Sequence, residues 1–349
     1  MRNYLSQAKL NKSLSILLIS MSILFGTPSS WAETSKPTPE DIKKYLRPAE
    51  IPQPANNMIT PERVELGKTL FFDPRLSGSN FISCATCHNP ALGWSDAQPT
   101  AIGHGMGILA RSTPTILNTA YQRFQAWDGR ARTLEKQALG PIEAGGEMAQ
   151  SIEHLIPELE AIVGYQSLFN NAYPDEGITK DTITKGIATF ERSIVSTDAP
   201  FDRWLKGVNG VMSPSAIQGF KVFKGKANCI ACHDGFNFSD NGFHNIGLPD
   251  NKDEGRYSIK PIKVLKGAFK TPTLRDVALT SPYMHNGQYK TLEEVINHYD
   301  RGGEMNMGNL DPNMKKLNLS QKEKSQLIDF LKSLTGDPIK IVIPQLPVK

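Results

Sequence analysis

Two short stretches of this 349-residue chain share one pattern, "ISCATCHNP" at residues 82–90 and "NCIACHDGF" at residues 228–236. Each stretch contains two cysteines separated by two residues and followed at once by a histidine. The chain has four cysteines, so the pattern uses all of them. The residues concerned are Cys84, Cys87 and His88 in the first stretch and Cys229, Cys232 and His233 in the second.

Three other uses of paired cysteines fit this pattern poorly. A disulfide across a two-residue gap adds little stability, because the constraint on the unfolded chain grows with the length of the closed loop. A zinc ribbon spaces its pairs about 15–20 residues apart, far closer than Cys87 and Cys229. A thioredoxin-like redox site needs one pair beside a βαβ pattern, which the sequence does not show. C-x-x-C-H is typical of covalent haem c attachment with the histidine as proximal iron ligand, so we predict two haem c groups.

The N-terminal segment has the features of a secretory signal peptide. Arg2, Lys9 and Lys12 precede the apolar run "SLSILLISMSILF", and small residues follow, with cleavage predicted after Ala32. A membrane anchor is the alternative, but a spanning helix needs about 20 apolar residues and this run is shorter. We therefore interpret residues 1–32 as a signal peptide and expect a periplasmic protein.

The composition is that of a soluble globular protein without a nucleic-acid partner. Hydrophobic residues make up 39% of the chain and charged residues 21%, with a formal net charge of +4. The sequence has no basic stripe that could neutralise a run of phosphates.

A related stretch precedes each cysteine pair, "TPERVELGKTLFFDP" and "SPSAIQGFKVFKGKA". Each begins with a hydroxyl residue and a proline, which favours a helix start with the hydroxyl as N-cap. Each continues as G-x-x-[L/V]-F, beginning at Gly67 and at Gly219. The pattern predicts a duplicated helix that packs on a haem edge; two unrelated amphipathic helices are the alternative.

The rest of the chain predicts a mostly α fold of two cytochrome c-like domains, with long loops and little β structure. "SIEHLIPELEAIVGYQSLF" and "DTITKGIATFERSIV" have the apolar spacing of helices, and "LSQKEKSQLIDFLKSL" opens with a capping box of Ser320 and Glu323. We expect the domain boundary around 198–212 and place an N-terminal haem domain at 33–205 and a C-terminal haem domain at 206–349.

Longer motifs around the haem stretches resemble the bacterial dihaem cytochrome c peroxidases. They are "GWSDAQPTAIGHG", "TPTILNTAYQRFQAWDGRARTLEKQALGPI", "GGEMA" and "FKTPTLRDVALTSPYMHNGQYKTLEEVINHYDRGG". The resemblance covers roughly residues 60–335 and includes the methylamine-utilisation (MauG-type) branch of the family. It implies an enzyme of the cytochrome c peroxidase type that carries two haem c groups.

The resemblance assigns roles around the first haem, which is the peroxide site in this family. Glu147 matches the catalytic glutamate that moves a proton between the peroxide oxygens, and Gln137 matches a residue that orients peroxide. His104 matches a histidine that ligates the resting iron in many members; a histidine held by a glycine-rich turn is the alternative. Trp127 matches a tryptophan that relays electrons between the haems, with a core tryptophan as the alternative.

The second haem is where this sequence departs from the peroxidase pattern. Methionine is the usual distal ligand there and raises the haem potential. Counting from His285, the ligand position falls on Tyr299, which matches the tyrosine ligand of MauG-type enzymes. Met284, Met305 and Met307 are competing ligands nearby, and none has the family spacing.

Family members also bind calcium between their domains through backbone oxygens at positions that match Thr280 and Pro282. An asparagine usually completes that site, and Ser112 stands at its position here. Because calcium takes six to eight oxygen ligands and water can replace a side chain, the resemblance implies one calcium ion.

Three functions remain open at this point. The first is reduction of hydrogen peroxide to water at the N-terminal haem, with electrons from a small periplasmic cytochrome c or cupredoxin passing through the C-terminal haem and Trp127. The second is a MauG-type enzyme that uses peroxide to oxidise residues of a partner protein, which Tyr299 favours. The third, a dihaem electron carrier, leaves Glu147 and Gln137 unexplained. Family members often form homodimers, so a second copy of the chain is a further expected partner.

Overall fold

The computed structural model describes residues 36–304 and 308–348, and its regular structure is almost entirely helical. The α-helices, numbered α1 to α11 in chain order, are Pro39–Tyr45, Pro61–Phe72, Cys84–Cys87, Leu134–Glu143, Ile152–Glu160, Val163–Ala172, Lys180–Ser193, Pro200–Leu205, Pro214–Lys224, Leu292–Arg301 and Gln321–Lys332. Two short strands, β1 (Phe243–His244) and β2 (Phe269–Lys270), pair antiparallel. The predicted fold class, mostly α with little β structure, is confirmed.

Short 3-10 helices lie in the loops between these elements. They span Pro74–Leu76, Pro90–Leu92, His104–Met106, Thr119–Tyr121, Cys229–Ala231, Arg256–Ser258, Lys263–Leu265 and Val277–Leu279. The predicted signal peptide, residues 1–32, lies outside the described residues. Within the ranges that the structure covers, no helix has the length and apolar character needed to cross a bilayer.

The helix starts expected from the sequence are confirmed. The Thr60 hydroxyl accepts a hydrogen bond from the Arg63 backbone N–H at the start of α2, and Ser213 caps α9 in the same way. Ser320 and Glu323 form the capping box of α11, with each side chain bonded to the other residue's backbone N–H. These caps satisfy N–H groups that have no partner inside the helix.

The first hydrophobic core is built around the contact between α2 and α7. Leu66, Leu70 and Phe71 from α2 are fully buried in it. The helices approach closely because Gly67 lies against Gly186: a Cβ atom on Gly67 would lie 2.0 Å from the Gly186 carbonyl oxygen. The glycine of the G-x-x-[L/V]-F pattern therefore permits a backbone contact that a larger residue would block.

The second hydrophobic core repeats this arrangement with α9 and α11. Phe220 and Phe223 of α9 and Phe330 of α11 are buried there. A Cβ atom on Gly219 would lie 1.9 Å from the Gln326 carbonyl oxygen. Both copies of the repeated sequence thus use their glycine for the same kind of helix contact, as expected for a duplicated unit.

The second core begins within the region expected for the boundary, residues 198–212. Phe201, Trp204 and Leu205 pack in the second core, although a boundary at 205 assigns them to the first domain. Tyr45 of α1 also belongs to the second core. We therefore propose that the second domain begins at Pro200 and receives α1 from the N-terminal side.

Candidate active site

One cavity of about 1170 Å³ connects both cysteine–histidine segments. Its wall includes the side chains of both C-x-x-C-H segments, which are Cys84, Cys87, His88, Cys229, Cys232 and His233. No disulfide joins any of the four cysteines, which disfavours the disulfide alternative. Among the described residues the four sulfurs do not form a metal cluster, which also excludes the zinc ribbon.

Both histidines are oriented as an iron ligand requires. Nδ1 of His88 lies 3.2 Å from the Trp94 carbonyl oxygen, and Nδ1 of His233 lies 2.9 Å from the Phe238 carbonyl oxygen. Because a carbonyl oxygen only accepts, Nδ1 carries the proton and Nε2 keeps its lone pair for a metal. Burial lowers the pKa of both imidazoles, which keeps them neutral. Two thiols and one free Nε2 in each segment fit a covalently bound haem c.

Gln137 and Glu147 both line the cavity, and Glu147 lies near Cys87. The parts of the cavity beside the first and the second C-x-x-C-H segment are called the first and the second pocket. Gln137 belongs to α4, and Glu147 follows in a loop held by a hydrogen bond from its backbone N–H to the Ala144 carbonyl oxygen. The Glu147 carboxyl group makes no hydrogen bond within the described part of the chain. Burial raises the pKa of this carboxyl group, and the positive charge of Arg130 partly opposes that effect. The pocket therefore contains an acid with a raised pKa and no fixed partner.

His104 is not among the described residues that line the cavity. Its backbone N–H bonds to the carbonyl oxygens of Gly146 and Glu147, and its Nδ1 atom is buried without a hydrogen-bond partner. Gly105, the next residue, has a φ of 63°, which glycine adopts without strain. The structure does not place the imidazole of His104 with Glu147 and Gln137 on the wall. Ligation of the resting iron by His104 therefore stays a conditional prediction.

Trp127 is held between the two halves of the chain. Its indole N–H donates to the Ser112 carbonyl oxygen at 2.8 Å, and its own carbonyl oxygen accepts from the Lys270 backbone N–H at 2.8 Å. Its ring meets His285 edge-on, with centroids 6.4 Å apart, and His285 stacks on Phe269 at 3.6 Å. These contacts fix the indole on the cavity wall, where residues of both halves of the chain meet.

Tyr299 lies on α10 and lines the second pocket. Burial raises the pKa of its phenol, and the nearby sulfurs of Cys232 and Cys229 raise it further. The phenol therefore lies near the two cysteines that would attach the second haem. It would need a metal cation to lose its proton at neutral pH.

The competing ligands at the second pocket fall into three groups. His298, beside Tyr299, has Nε2 bonded to the Ile246 carbonyl oxygen and Nδ1 bonded to the Tyr289 hydroxyl, so neither nitrogen is free. Met284 lines the cavity. Met314, which is not among the competing ligands expected from the sequence, lines it as well. The alternatives Met305 and Met307 lie outside the described residues.

The three residues expected at a calcium site, Ser112, Thr280 and Pro282, all line the same cavity. The backbone of Ser112 is already engaged, because its N–H donates to the His285 carbonyl oxygen at 2.7 Å and its carbonyl oxygen accepts from Trp127. A cation could use the Ser112 hydroxyl or the second lone pair of its carbonyl oxygen. Calcium binding stays a prediction.

Glu191 is a buried acid that sequence reasoning missed. It lies on α7, is 4% exposed and lines the cavity. Burial raises its pKa to about 8, and the nearby Arg192 opposes this. A signal was present in the sequence: Ile183, Ile187 and Glu191 are spaced four residues apart, so the acid continues an apolar face of the helix.

Two C-x-x-C-H segments on one cavity, each with a carbonyl-anchored histidine, define a c-type cytochrome with two haems. The family profile "Di-haem cytochrome c peroxidase" matches residues 61–210, and "Cytochrome c" matches residues 216–335. Methylamine utilization protein MauG of Methylorubrum extorquens is 45% identical over 92% of each chain. Cytochrome c551 peroxidase of Nitrosomonas europaea is 36% identical over 83% of this chain and 85% of its own length. The chain belongs to the di-haem cytochrome c peroxidase family.

Solved structures have the same fold. A MauG-like protein associated with microbial copper homeostasis superposes with a TM-score of 0.79 at 30% identity, covering 84% of this chain and 94% of its own. The diheme peroxidase BthA from Burkholderia thailandensis gives 0.71 at 21% identity, with coverage of 81% and 88%. The expected cytochrome c-like domains, two haem c groups and peroxidase-type enzyme class are thereby confirmed.

Proposed function

We propose that the first pocket reduces hydrogen peroxide by the reaction H2O2 + 2 H+ + 2 e− → 2 H2O. The observation that carries the proposal is the Glu147 carboxyl group, which lines the cavity without a hydrogen-bond partner in the described structure. Its pKa is raised by burial. An acid whose pKa lies closer to the working pH can both accept and return a proton, as cleavage of peroxide requires.

Glu147 and Gln137 would divide the work in the first pocket. When bound, the haem iron supplies the electrons and the position at which the O–O bond breaks. The Glu147 carboxylate takes the proton from one peroxide oxygen and returns it to the other, which then leaves as water. The Gln137 amide, which carries two donors and an acceptor, holds the peroxide in the orientation that this transfer needs.

Trp127 would carry the two electrons into the first pocket. The indole is bonded to Ser112 from the first half of the chain and packs on His285 from the second half. We assign Tyr299 as the distal iron ligand of the second haem. A small periplasmic cytochrome c or cupredoxin would supply the electrons, and the predicted signal peptide supports a periplasmic location.

A second candidate differs in the source of electrons, which would be side chains of a partner protein. Tyr299 favours it, because a phenolate stabilises oxidised iron and suits a protein whose two pockets share the oxidation delivered by one peroxide. Sequence identity points the same way, at 45% to MauG of Methylorubrum extorquens against 36% to cytochrome c551 peroxidase of Nitrosomonas europaea.

The test is to mix the ferric protein with one equivalent of peroxide, with and without prior reduction, and to follow haem absorption by stopped flow. We expect a rapid spectral change in at least one of these states. Reduced cytochrome c or cupredoxin is then added. Oxidation of two donor molecules per peroxide supports the peroxidase, whereas peroxide-dependent oxidation of a partner's aromatic residues, with the donor left reduced, supports the second candidate. No spectral change in either state contradicts both.

A further inference from the structure

Lys270 is a buried cation on the wall of the cavity that holds both C-x-x-C-H segments. It is 6% exposed, and both it and Gln122 line the cavity. Its Nζ atom donates to the Gln122 side-chain oxygen at 2.8 Å. No Asp or Glu in the described part of the chain forms an ion pair with Lys270. Among the described residues, this ammonium group hydrogen-bonds to the side chain of Gln122 alone, which is neutral.

Other cations buried in this protein are paired with acids. Arg275, 1% exposed, donates to both carboxylate oxygens of Asp202 at 2.7 and 2.8 Å. Arg192, 4% exposed, donates to Glu135 at 2.8 Å. Removing a charge from water is costly unless a counter-charge accompanies it. Burial lowers the pKa of Lys270 to about 8, so most of the charge persists at pH 7 and still requires an anion.

The family to which the chain belongs supplies such an anion, because each haem carries two propionate carboxylates. We propose that the Lys270 ammonium group is the counter-ion of a haem propionate at the wall shared by the two pockets. The inference requires bound haem but not the peroxide reaction, so it stands or falls independently of the proposed function.

Lys270 would also link the cofactor to the electron relay. Its backbone N–H donates to the Trp127 carbonyl oxygen at 2.8 Å. The same residue would thus hold the haem edge through its side chain and the indole-bearing segment through its backbone. Lys270 would therefore be a positioning residue that sets where the haem lies relative to Trp127.

The test compares Lys270→Met and Lys270→Arg with wild type in the haem-loaded protein. Haem content, the resonance Raman bands of the propionates and both reduction potentials are measured. Lys270→Met should shift the propionate band of one haem. It should also lower the equilibrium constant for reducing that haem about tenfold, or 59 mV for a one-electron couple, because a nearby cation favours the reduced state. Lys260→Met, which removes an exposed lysine, should change neither.

Lys270→Arg keeps the charge and should restore most of the potential. Its propionate band should still differ from wild type, because a guanidinium group binds a carboxylate in another geometry than an ammonium group. Wild-type bands and potentials in a Lys270→Met protein with two haems would overturn the proposal. If Lys270→Met does not retain both haems, Lys270→Arg decides: a propionate band identical to wild type would overturn the proposal, and a shifted band supports it.

Discussion

The two haem pockets have the same helix contact and the same histidine anchor, but different side chains line them. In each, a helix glycine lies against a neighbouring backbone, and a histidine Nδ1 is bonded to a carbonyl oxygen. The first pocket adds an acid and an amide, Glu147 and Gln137, whereas the second adds the phenol of Tyr299. A duplicated scaffold can therefore hold the same cofactor twice, and under the proposed function the different side chains of the two pockets would separate catalysis from electron transfer.

Removing one haem at a time is the strongest way to break this comparison. Cys84→Ala combined with Cys87→Ala should leave one haem per chain and abolish the reaction with peroxide. Cys229→Ala with Cys232→Ala should also leave one haem per chain. This variant should keep the initial reaction of the first haem with peroxide but lose turnover with an electron donor. The haem-to-protein ratio gives the number of haems in each variant, and stopped-flow absorption gives its reactivity with peroxide. Equal peroxide reactivity in the two variants would contradict the division of roles.

Glu147→Gln should slow the reaction with peroxide by about two orders of magnitude or more, the usual scale of acid–base catalysis. The carboxylate form accepts the peroxide proton, and burial raises the pKa at which that form is lost. The wild-type rate should therefore fall with decreasing pH at a higher pH than for an exposed glutamate, and the variant should lack this fall. Glu143→Gln, which changes an exposed acid at the end of α4, four residues before Glu147, is the control. A wild-type rate in Glu147→Gln would remove this residue from the mechanism.

Tyr299→Met should raise the reduction potential of the second haem, because a thioether favours reduced iron more than a phenolate does. A shift equivalent to at least tenfold in the reduction equilibrium, about 59 mV, is expected in a redox titration. Tyr283→Phe removes another phenol from the cavity wall and should have a much smaller effect. The ligand assignment fails if the two variants shift the potential equally.

Trp127→Phe should leave the binding of peroxide unchanged and slow electron transfer between the pockets. A loss of roughly tenfold corresponds to about 1.4 kcal/mol in activation free energy. Flash reduction of the second haem, followed by absorption of the first, measures the rate. Trp204→Phe, in the second core, controls for loss of an indole. Unchanged transfer in Trp127→Phe would favour a merely structural tryptophan.

Gly67→Ala and Gly219→Ala should each destabilise the fold by about 1–3 kcal/mol, the usual cost of overpacking. In both positions a Cβ atom would meet a carbonyl carbon or oxygen of the neighbouring helix. Gly145→Ala, where a Cβ atom meets nothing within 4 Å, is the control. Denaturant unfolding of the holoprotein measures the free energy. A cost at only one of the two glycines would argue against equivalent helix contacts.

Sequence reasoning succeeded where the signal is local. The C-x-x-C-H segments, the caps at Thr60 and Ser213, and the duplicated glycine are each encoded within a dozen residues. The family resemblance then located Glu147, Gln137, Trp127 and Tyr299, which the structure places on one cavity. Their roles remain proposals that the variants above test.

Features that depend on tertiary packing were not predicted. The sequence placed the domain boundary only within a region, because Phe201 and Trp204 look like any amphipathic segment until their packing partners are known. Glu191 was missed, although its four-residue spacing with Ile187 places it on the apolar face of α7. Lys270 was not detectable, because nothing in the sequence around it shows that the neighbouring segments bury its side chain without an acid.

The electron paramagnetic resonance spectrum of the ferric protein, recorded together with its iron content, tests the contrast between the pockets most directly. Two irons per chain should give one high-spin signal from the pocket of Glu147, which keeps an open position. The other signal should be low-spin, from the pocket where His233 and Tyr299 would both bind the metal. Two low-spin signals that persist after one equivalent of peroxide, or an iron content far from two per chain, would contradict the account.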